Sequence, residues 1–401
     1  MPTRPFVLRS LGLSVALVML PTFLSAQTPA ETEFPKVNAV LKEPIKSVRS
    51  IRELRDGRLL VVDGSPQRLV LADFTSGKVE TRMKTGTEDD EARSLGPLWV
   101  WPGDSTVSLD AGRARVMVFG PDGALGRVAN LGASSSAAPP PGARVPRVPT
   151  LRYLVGTDAA IGIGISPRPA APPTPASPPP RVLYPVVRFS LRTLRFDTIA
   201  QLLPPQSPRA PSSPNGWGSG TYTVFVGTAP LQSVDVWTAL ADGTVAIVRA
   251  ASYRIEWVAP DGTRSFTEPV PFTPITVTSG DKKRVSEEFK RTSDEALQAN
   301  SMRTAALAIN YDEPASWPAT HPPFRGDLVP LVDLRDRLWL ATRCMKDEQS
   351  LCYDVIDRTG ARVERYRLPP KTSIVGFGKD AAYSFLESKG IVQRHGLAGP
   401  P

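Results

Sequence analysis

Hydrophobic and polar residues alternate along most of the chain in short runs separated by turn residues. The clearest run covers residues 59–63, which follow the turn residues Asp56 and Gly57 and precede a second apolar run at 68–71. Residues 105–110 and 115–119 repeat this arrangement about 45 residues later and end at a Pro-Asp-Gly turn. Alternation with a period of two is typical of strands with one buried face. A repeat of this length is typical of a β-propeller blade.

Six copies of this unit can be placed, so the sequence predicts an all-β fold, a six-bladed β-propeller. The turn residues that open the first hairpin of each copy are Asp56, Asp104, Asp158, Asp242, Asp336 and Asp380. The sixth copy ends before it can supply a fourth strand. Because an open edge strand invites aggregation, we expect residues 34–41, near the N-terminus, to complete the last blade.

Three proline-rich tracts interrupt the repeats, at residues 134–149, 166–180 and 204–214. They lack apolar side chains to bury, and proline removes backbone donors, so we expect extended loops there rather than strands. Residues 281–309 are rich in Lys, Arg, Glu and Ala and predict one short helical insertion between the fourth and fifth blades. We expect this helix to brace the ring, with a lid over one mouth as the alternative.

The first residues have the three parts of a secretory signal peptide: the basic residues Arg4 and Arg9, an apolar stretch over residues 11–20, and a short region ending at Ala26. We predict cleavage after Ala26, so that residues 1–26 are the signal peptide and residues 27–401 form the propeller domain. The apolar stretch is much shorter than the roughly 20 residues that span a bilayer. We therefore expect a periplasmic or secreted chain with no transmembrane segment after cleavage.

The chain is basic, with 48 Lys and Arg against 39 Asp and Glu and a net charge of +9. Loss of Arg4 and Arg9 with the signal peptide leaves a net charge of +7. Excess positive charge raises attraction to nucleic acid or anionic surfaces without specifying either. Because an exported protein rarely meets nucleic acid, we expect no nucleic-acid partner and attribute the charge to solubility or to affinity for the envelope surface.

Both cysteines, Cys344 and Cys352, flank one polar hairpin connection in the fifth blade. Such a pair can lie at disulfide distance, and an oxidising compartment allows the bond to form. The sequence therefore predicts a disulfide that holds this hairpin, with a pair of buried free thiols as the alternative. Two cysteines without neighbouring His partners do not indicate a metal site.

A motif in which Asp precedes Arg by five residues recurs in the repeats. It appears as Asp63 and Arg68 in the first copy and as Asp110 and Arg115 in the second. A Pro-Phe connection within residues 321–328 also precedes a Leu-Trp strand that starts near residue 337. With these motifs the chain resembles the NHL-like group of six-bladed β-propellers found in exported bacterial proteins. The resemblance implies a propeller over nearly the whole mature chain and licenses no particular activity.

The chain departs from that motif in two copies. The fourth copy has Arg249 where the motif has Asp, and the fifth replaces the motif with the cysteine hairpin. We therefore expect Asp63 and Asp110 to hold turns and neighbouring arginines rather than to form a repeated ring of ligands.

No catalytic constellation stands out. Only two histidines exist, His321 and His395, and neither has a second histidine nearby in sequence, so we expect structural roles for both. The glycine-rich residues 216–220 fit neither a phosphate-binding loop nor a nucleophile elbow. We predict no resident cofactor.

Calcium is the one metal that the sequence leaves open. The acidic residues 88–91 have the oxygen ligands that calcium takes, but consecutive residues cannot all face one ion, so a solvated loop is favoured. Related propeller lactonases and phosphotriesterases hold calcium at the central axis with Glu, Asn and Asp side chains. The asparagines of this chain do not occupy matching positions in the repeat: Asn38, Asn130, Asn215, Asn300 and Asn310.

The favoured interpretation is a non-catalytic binding module, monomeric, whose partner is an envelope protein, a peptide or a glycan. The alternatives are a calcium-dependent, lactonase-like hydrolase with its site in the central channel, and a sensor or structural subunit of an envelope complex. Five tryptophans bear on this choice: Trp99, Trp101, Trp217, Trp237 and Trp339. A mouth lined by these side chains would favour binding, whereas packing between blades is their expected role.

Overall fold

Successive runs of alternating residues pair as antiparallel hairpins and build five sheets of four strands and one of five, which confirms the predicted six-bladed β-propeller. The computed structural model describes residues 29–397, apart from 65, 89–90, 114, 131–149, 156–158, 164–182, 191–195, 203–221, 226–230, 232, 300–308, 313–316, 345–346 and 348. The predicted signal peptide, the three proline-rich tracts and Asp158 lie outside the described residues.

Two strands precede the first blade, β1 (Glu31–Glu33) and β2 (Val37–Val40). The first blade contains β3 (Val48–Glu53), β4 (Leu59–Gly64), β5 (Gln67–Ala72) and β6 (Val79–Lys84). The second contains β7 (Leu95–Trp101), β8 (Ser105–Asp110), β9 (Arg115–Phe119) and β10 (Leu125–Asn130). The third contains β11 (Thr150–Val155), β12 (Ala159–Ile163), β13 (Tyr184–Ser190) and β14 (Phe196–Leu202).

The fourth blade contains β16 (Val236–Ala239), β17 (Val245–Arg249), β18 (Arg254–Val258) and β19 (Arg264–Phe266), after a separate strand β15 (Tyr222–Phe225). The helix α1 (Ser279–Ala299) and the strand β20 (Ile309–Asp312) follow. The fifth blade contains β21 (Leu331–Val332), β22 (Leu338–Arg343), β23 (Leu351–Ile356) and β24 (Arg362–Arg367). The sixth contains β25 (Thr372–Phe377), β26 (Ala381–Leu386) and β27 (Ile391–Gly396).

The N-terminal segment closes the ring at two blades. β2 pairs antiparallel with β27, with Val37 opposite His395, and so supplies the fourth strand of the sixth blade. This pairing confirms the expectation for residues 34–41. β1 adds to the fifth blade in parallel to β24, with Glu31 opposite Arg365, an addition that the sequence did not predict. Both additions cover strand edges that would otherwise be open.

The first strands of neighbouring blades lie beside one another around the centre, and the later strands of each blade lie further out. Apolar side chains fill the space between blades. Between the fourth and fifth blades, Val248 and Leu340 belong to one buried cluster. Full burial of such a side chain stabilises the fold by roughly 2 kcal/mol, so the blade seams carry much of the stability.

Asp side chains shape the hairpin turns where the repeats predicted them. The Asp56 carboxylate accepts a hydrogen bond from the backbone N–H of Arg58 at 3.0 Å, and Asp242 does the same for Thr244 at 2.8 Å. Asp104 and Asp336 adopt left-handed backbone angles, with φ of 59° and 57°. Asp tolerates this conformation better than most residues.

The predicted helical insertion is present, and it starts two residues earlier than expected. α1 begins at Ser279 and its described part ends at Ala299, while residues 300–308 lie outside the described residues. β15 and β20 form a separate two-stranded parallel sheet. No helix in the described part of the chain is long and apolar enough to cross a membrane.

Candidate functional site

The Asp and Arg residues of the recurring motif tie the first and second blades to the chain that leads into each of them. The Asp63 carboxylate is fully buried, accepts a hydrogen bond from the Ser47 backbone N–H at 3.1 Å, and pairs with Nε of Arg68 at 3.2 Å. Asp110 is equally buried and pairs with Nε of Arg115 at 3.1 Å. Each carboxylate is thus held within its own blade, in keeping with the expected turn-holding role.

The fourth blade makes the same connection with the charges reversed. Arg249 faces Arg254 across the β17–β18 pair, as Asp63 faces Arg68 in the first blade. Its guanidinium binds Asp235, from the chain entering the blade, at 2.6 Å, and it also binds Glu256 at 2.5 Å. Arg249 therefore stands at the position of the motif Asp and still forms an ion pair, because the chain that enters the blade supplies the acidic partner, Asp235.

Cys344 and Cys352 form the predicted disulfide, with their Cα atoms 5.1 Å apart. The bond closes the hairpin between β22 and β23, next to Arg343, the last residue of β22. The hairpin therefore anchors the end of the strand that carries Arg343 into the pocket described next.

A cavity of about 390 Å³ lies between the fifth blade and the chain that connects the fourth blade to it, and we call it the seam pocket. Its polar and charged lining includes Glu31, His321, Arg343, Asp354, Arg362 and Arg365. Its apolar lining includes Pro271, Phe272, Ile275, Pro322 and Pro323. The strands that contribute are β1, β22, β23 and β24, and the innermost strand β21 contributes no lining residue. The seam pocket therefore lies on the flank of the ring, away from the central channel.

The strands of the fifth blade position two arginines on one carboxylate. Asp354 faces Arg365 across the β23–β24 pair, and the register shifts between Val355 and Ile356, so that Ile356 faces Arg362. This bulge adds one residue to β24 and changes the side-chain alternation. Arg362 and Arg365, three residues apart, therefore both reach Asp354, each at 3.1 Å.

Asp354 also connects the two blades. Its Oδ2 accepts a hydrogen bond from the hydroxyl of Tyr253, in the fourth blade, at 2.8 Å. Tyr253 is buried and has a left-handed φ of 42°, a conformation that costs about 1 kcal/mol or more. Burial and the adjacent Asp354 carboxylate raise the pKa of this hydroxyl well above its ordinary value, so Tyr253 remains a donor.

The start of helix α1 supplies a second buried carboxylate beside the pocket. The Thr278 backbone N–H donates to Oδ2 of Asp281 at 2.9 Å, and the Asp281 backbone N–H donates to Oγ1 of Thr278 at 3.1 Å. This reciprocal pair is a capping box. The spacing of Thr278 and Asp281 in the sequence is the signal that could have located both the helix start and this carboxylate.

Asp281 holds His321 and Arg343 together. Its Oδ2 lies 3.3 Å from Nε2 of His321, and its Oδ1 lies 3.2 Å from Nη2 of Arg343. Burial would raise the pKa of the Asp281 carboxyl, but hydrogen bonds from Thr278 and His321 and the charge of Arg343 outweigh it and hold the pKa well below its usual range. Asp281 is therefore ionised at neutral pH.

His321 is neutral and has both ring nitrogens engaged. Nη1 of Arg343 lies 3.1 Å from its Nδ1 and 2.5 Å from its Nε2, and Nε2 also lies 3.3 Å from Oδ2 of Asp281. Burial lowers the pKa of the imidazole, and the Asp281 contact opposes this shift without overcoming it. An imidazole held in this way is placed to orient Arg343 rather than to abstract a proton from a ligand.

The other sequence candidates lie elsewhere. His395 is buried and accepts a hydrogen bond from the hydroxyl of Ser384 at Nε2, 2.8 Å away. Trp237 and Trp339 are buried in the cores between blades, as packing residues. Nε1 of Trp99 donates to the carbonyl of Arg152 at 2.9 Å and links the second blade to the third. Trp217, the glycine-rich residues 216–220, and Asp89 and Asp90 of the acidic run lie outside the described residues.

Within the described residues, no three His, Cys, Asp or Glu side chains come together as a group that could hold a metal ion.

The known proteins that resemble this chain do so in fold. No protein-family model and no curated protein matches the sequence. A member of the DUF4221 family from Bacteroides vulgatus is similar over 91% of this chain and 96% of its own, with a TM-score of 0.48 and 8% identity. A gluconolactonase from Xanthomonas campestris is similar over 92% of this chain and 97% of its own, with a TM-score of 0.41 and 12% identity. Regucalcin from Agrobacterium tumefaciens, a calcium-binding protein, is similar over 92% of this chain and 96% of its own, with a TM-score of 0.41 and 11% identity.

Proposed function

We propose that this chain is an exported propeller of the NHL-like group that acts as a non-catalytic binding module in the cell envelope, with the seam pocket as its ligand site. The ligand is a small molecule, or the end of a peptide or glycan, that enters between the fourth and fifth blades. The mature chain acts as a monomer in the periplasm or outside the cell.

One observation carries this proposal: the seam pocket is large enough for a ligand, and its acid and base groups are already engaged with one another. Its volume of about 390 Å³ falls within the range of about 300–1,000 Å³ typical of small-molecule sites. His321 is neutral between Asp281 and Arg343, and Asp354 is paired with two arginines. Such groups can orient a ligand, while a general base needs a free lone pair within reach of the substrate.

Thermal unfolding of residues 27–401 tests the proposal with a panel of short peptides, oligosaccharides, organic anions and amines. A ligand that binds only the folded protein raises the midpoint. Thr273 is exposed and lines the pocket, so Thr273→Trp fills it, whereas Thr263→Trp places the same bulk on an exposed turn of the fourth blade. We expect at least one compound class to stabilise the wild type and the Thr263 variant but not the Thr273 variant.

The rival hypothesis is the calcium-dependent hydrolase. After treatment with a chelator, millimolar calcium should leave the midpoint unchanged, and lactones and phosphoesters should not be turned over. A calcium-dependent rise together with turnover would replace the binding module with that hydrolase. A panel in which no compound stabilises the protein would also contradict the proposal.

A further inference from the structure

The charges that line the seam pocket are unevenly matched. Three guanidinium groups line it, those of Arg343, Arg362 and Arg365, against the carboxylates of Glu31 and Asp354. Arg343 has its own carboxylate in Asp281. Arg362 and Arg365 both contact the carboxylate of Asp354, which also accepts the Tyr253 hydroxyl. The second carboxylate beside them, that of Glu31, lies 3.9 Å from Arg365, so these two arginines have only one closely bound anion between them.

Arg362 retains donor capacity that its neighbours do not use. Its side chain is only 4% exposed, yet its Nε has no hydrogen-bond acceptor among the described residues. A buried guanidinium N–H without an acceptor costs free energy. The Arg362 guanidinium, which lines the pocket, is therefore not fully satisfied by the protein alone.

Glu31 is a poor substitute for the missing anion. It belongs to the short edge strand β1, and its Oε2 lies 3.9 Å from Nε of Arg365, beyond hydrogen-bond distance. Its Oε1 lies 3.6 Å from Nε of Arg367, again at long range. Glu31 is thus a loosely held carboxylate at the same arginine that a ligand anion would contact.

The opposite wall of the pocket is apolar. Phe272 is 44% exposed, packs edge-on against Tyr253 with ring centroids 5.7 Å apart, and lines the pocket together with Pro271, Ile275, Pro322 and Pro323. An exposed aromatic ring beside prolines can pack against an apolar group of a ligand, but it offers no hydrogen bonds to a hydrated anion. The lining of the pocket therefore combines cationic and apolar groups.

From these features, and resting on the proposed function, we infer that the seam pocket binds a small organic carboxylate with an apolar body. The carboxylate lies against Arg365 and Arg362, whose planar groups suit a two-pronged contact. The apolar body lies against Phe272 and the prolines. Glu31 competes with the ligand for Arg365 and so weakens binding in the free protein.

Isothermal titration of phenylacetate into the purified protein, with the uncharged phenylacetamide as the matched probe, tests this inference at one fixed salt concentration. We expect phenylacetate to bind and phenylacetamide to bind at least about tenfold more weakly, the effect of losing a charged hydrogen bond. Equal binding of the two probes, binding of neither, or preferential binding of inorganic phosphate would overturn the inference.

Two variants with matched controls locate the carboxylate. Arg365→Gln should weaken phenylacetate binding about tenfold or more, while Arg127→Gln, on the exposed strand β10 of the second blade, should leave it unchanged. Glu31→Gln should tighten binding up to about fivefold, because it removes one like charge. Glu33→Gln, whose side chain is 85% exposed, should have no effect.

Circular dichroism confirms that each variant is folded before titration, and the Glu31 variant tests the inference even if the Arg365 variant does not fold. Phenylacetate affinity that is unchanged by Glu31→Gln, or weakened as much by Arg127→Gln as by Arg365→Gln, would overturn the carboxylate site. If neutral or cationic compounds from the panel instead bind in a way that Thr273→Trp blocks, the binding module stands and only the ligand class is wrong.

Discussion

Nδ1 of His395 donates a hydrogen bond to the carbonyl oxygen of Pro35 at 2.6 Å, and so joins the last strand to a residue 360 positions earlier. The hydroxyl of Ser384 donates to Nε2 of the same ring, and the Phe34 ring packs against it with centroids 4.7 Å apart. Burial lowers the pKa of this imidazole and so favours its neutral form, in which both nitrogens have a partner. The closure of the ring therefore places a neutral histidine between the two ends of the propeller.

We expect the protein to lose stability below about pH 6.5. Burial lowers the pKa of His395 below its ordinary value of 6.5, and burial likewise lowers the pKa of His321. As the pH falls through 6.5, the unfolded chain takes up protons that the folded chain resists, so the free energy of unfolding declines. Above this pH the contribution is complete.

Thermal midpoints measured between pH 7.5 and 5.5 check this dependence. His395→Gln retains one donor and one acceptor but does not titrate, so its midpoint should fall less steeply than that of the wild type. His321→Gln reports on the second histidine in the same way. Wild-type and variant curves that run parallel over this range would contradict the assignment.

Tyr253→Phe should lower the free energy of unfolding by about 2 kcal/mol. The change removes the 2.8 Å hydrogen bond to Asp354 and leaves this buried carboxylate with one donor fewer, a cost typical of bonds to charged groups. Urea unfolding measures the effect. Tyr184→Phe, on a partly exposed tyrosine of β13, serves as the control. Equal midpoints for the two variants would show that the bond between the blades adds no stability.

Reduction of the disulfide should destabilise the fold by about 2–3 kcal/mol, the chain-entropy value for a short loop. The bond joins Cys344 to Cys352 across eight positions. The measurement compares thermal midpoints with and without dithiothreitol. In the double variant Cys344→Ala and Cys352→Ala, the reductant should have no effect. A reductant effect that persists in this variant would point to a cause other than the disulfide.

Arg249→Ala should lower the free energy of unfolding by about 3 kcal/mol or more, because it leaves two buried carboxylates without the cation that they share. The Asp235 and Glu256 side chains are 3% and 2% exposed. Arg58→Ala removes an exposed pair with Asp56 and should cost less than about 1 kcal/mol. Urea unfolding of both variants provides the comparison. If both variants lost a similar free energy of unfolding, burial would not explain the contribution of the Arg249 ion pairs to stability.

Local sequence patterns predicted most of the fold. The alternation of residues 59–63 and its repeats predicted the blades, because strand periodicity is written in neighbouring residues. The Asp63 and Arg68 pair and the Cys344 and Cys352 bond also depend on residues close together in sequence, whereas the closing strand near Val37 was predicted from the open edge of the sixth blade. The earlier helix start at Ser279 and the edge strand β1 were missed; the first had a local signal in its capping box, and the second had none.

The seam pocket was beyond the reach of the sequence. Glu31, Asp281, Arg343 and Arg362 come from four separate elements spread over more than three hundred positions, and nothing in their spacing marks them as neighbours. His321 was interpreted as structural, which agrees with its neutral state, but its partners Asp281 and Arg343 were not foreseen.

The chain alone determined the blade repeat, the turn chemistry and the cysteine pairing, since each depends on residues close together in sequence. Only the tertiary structure decided which charges meet: ring closure sets the fourth blade against the fifth, and a bulge in β24 brings Arg362 and Arg365 to one carboxylate. Long-range contacts arise from the packing of whole blades, and an ion pair forms only between side chains that this packing brings within about 4 Å of each other.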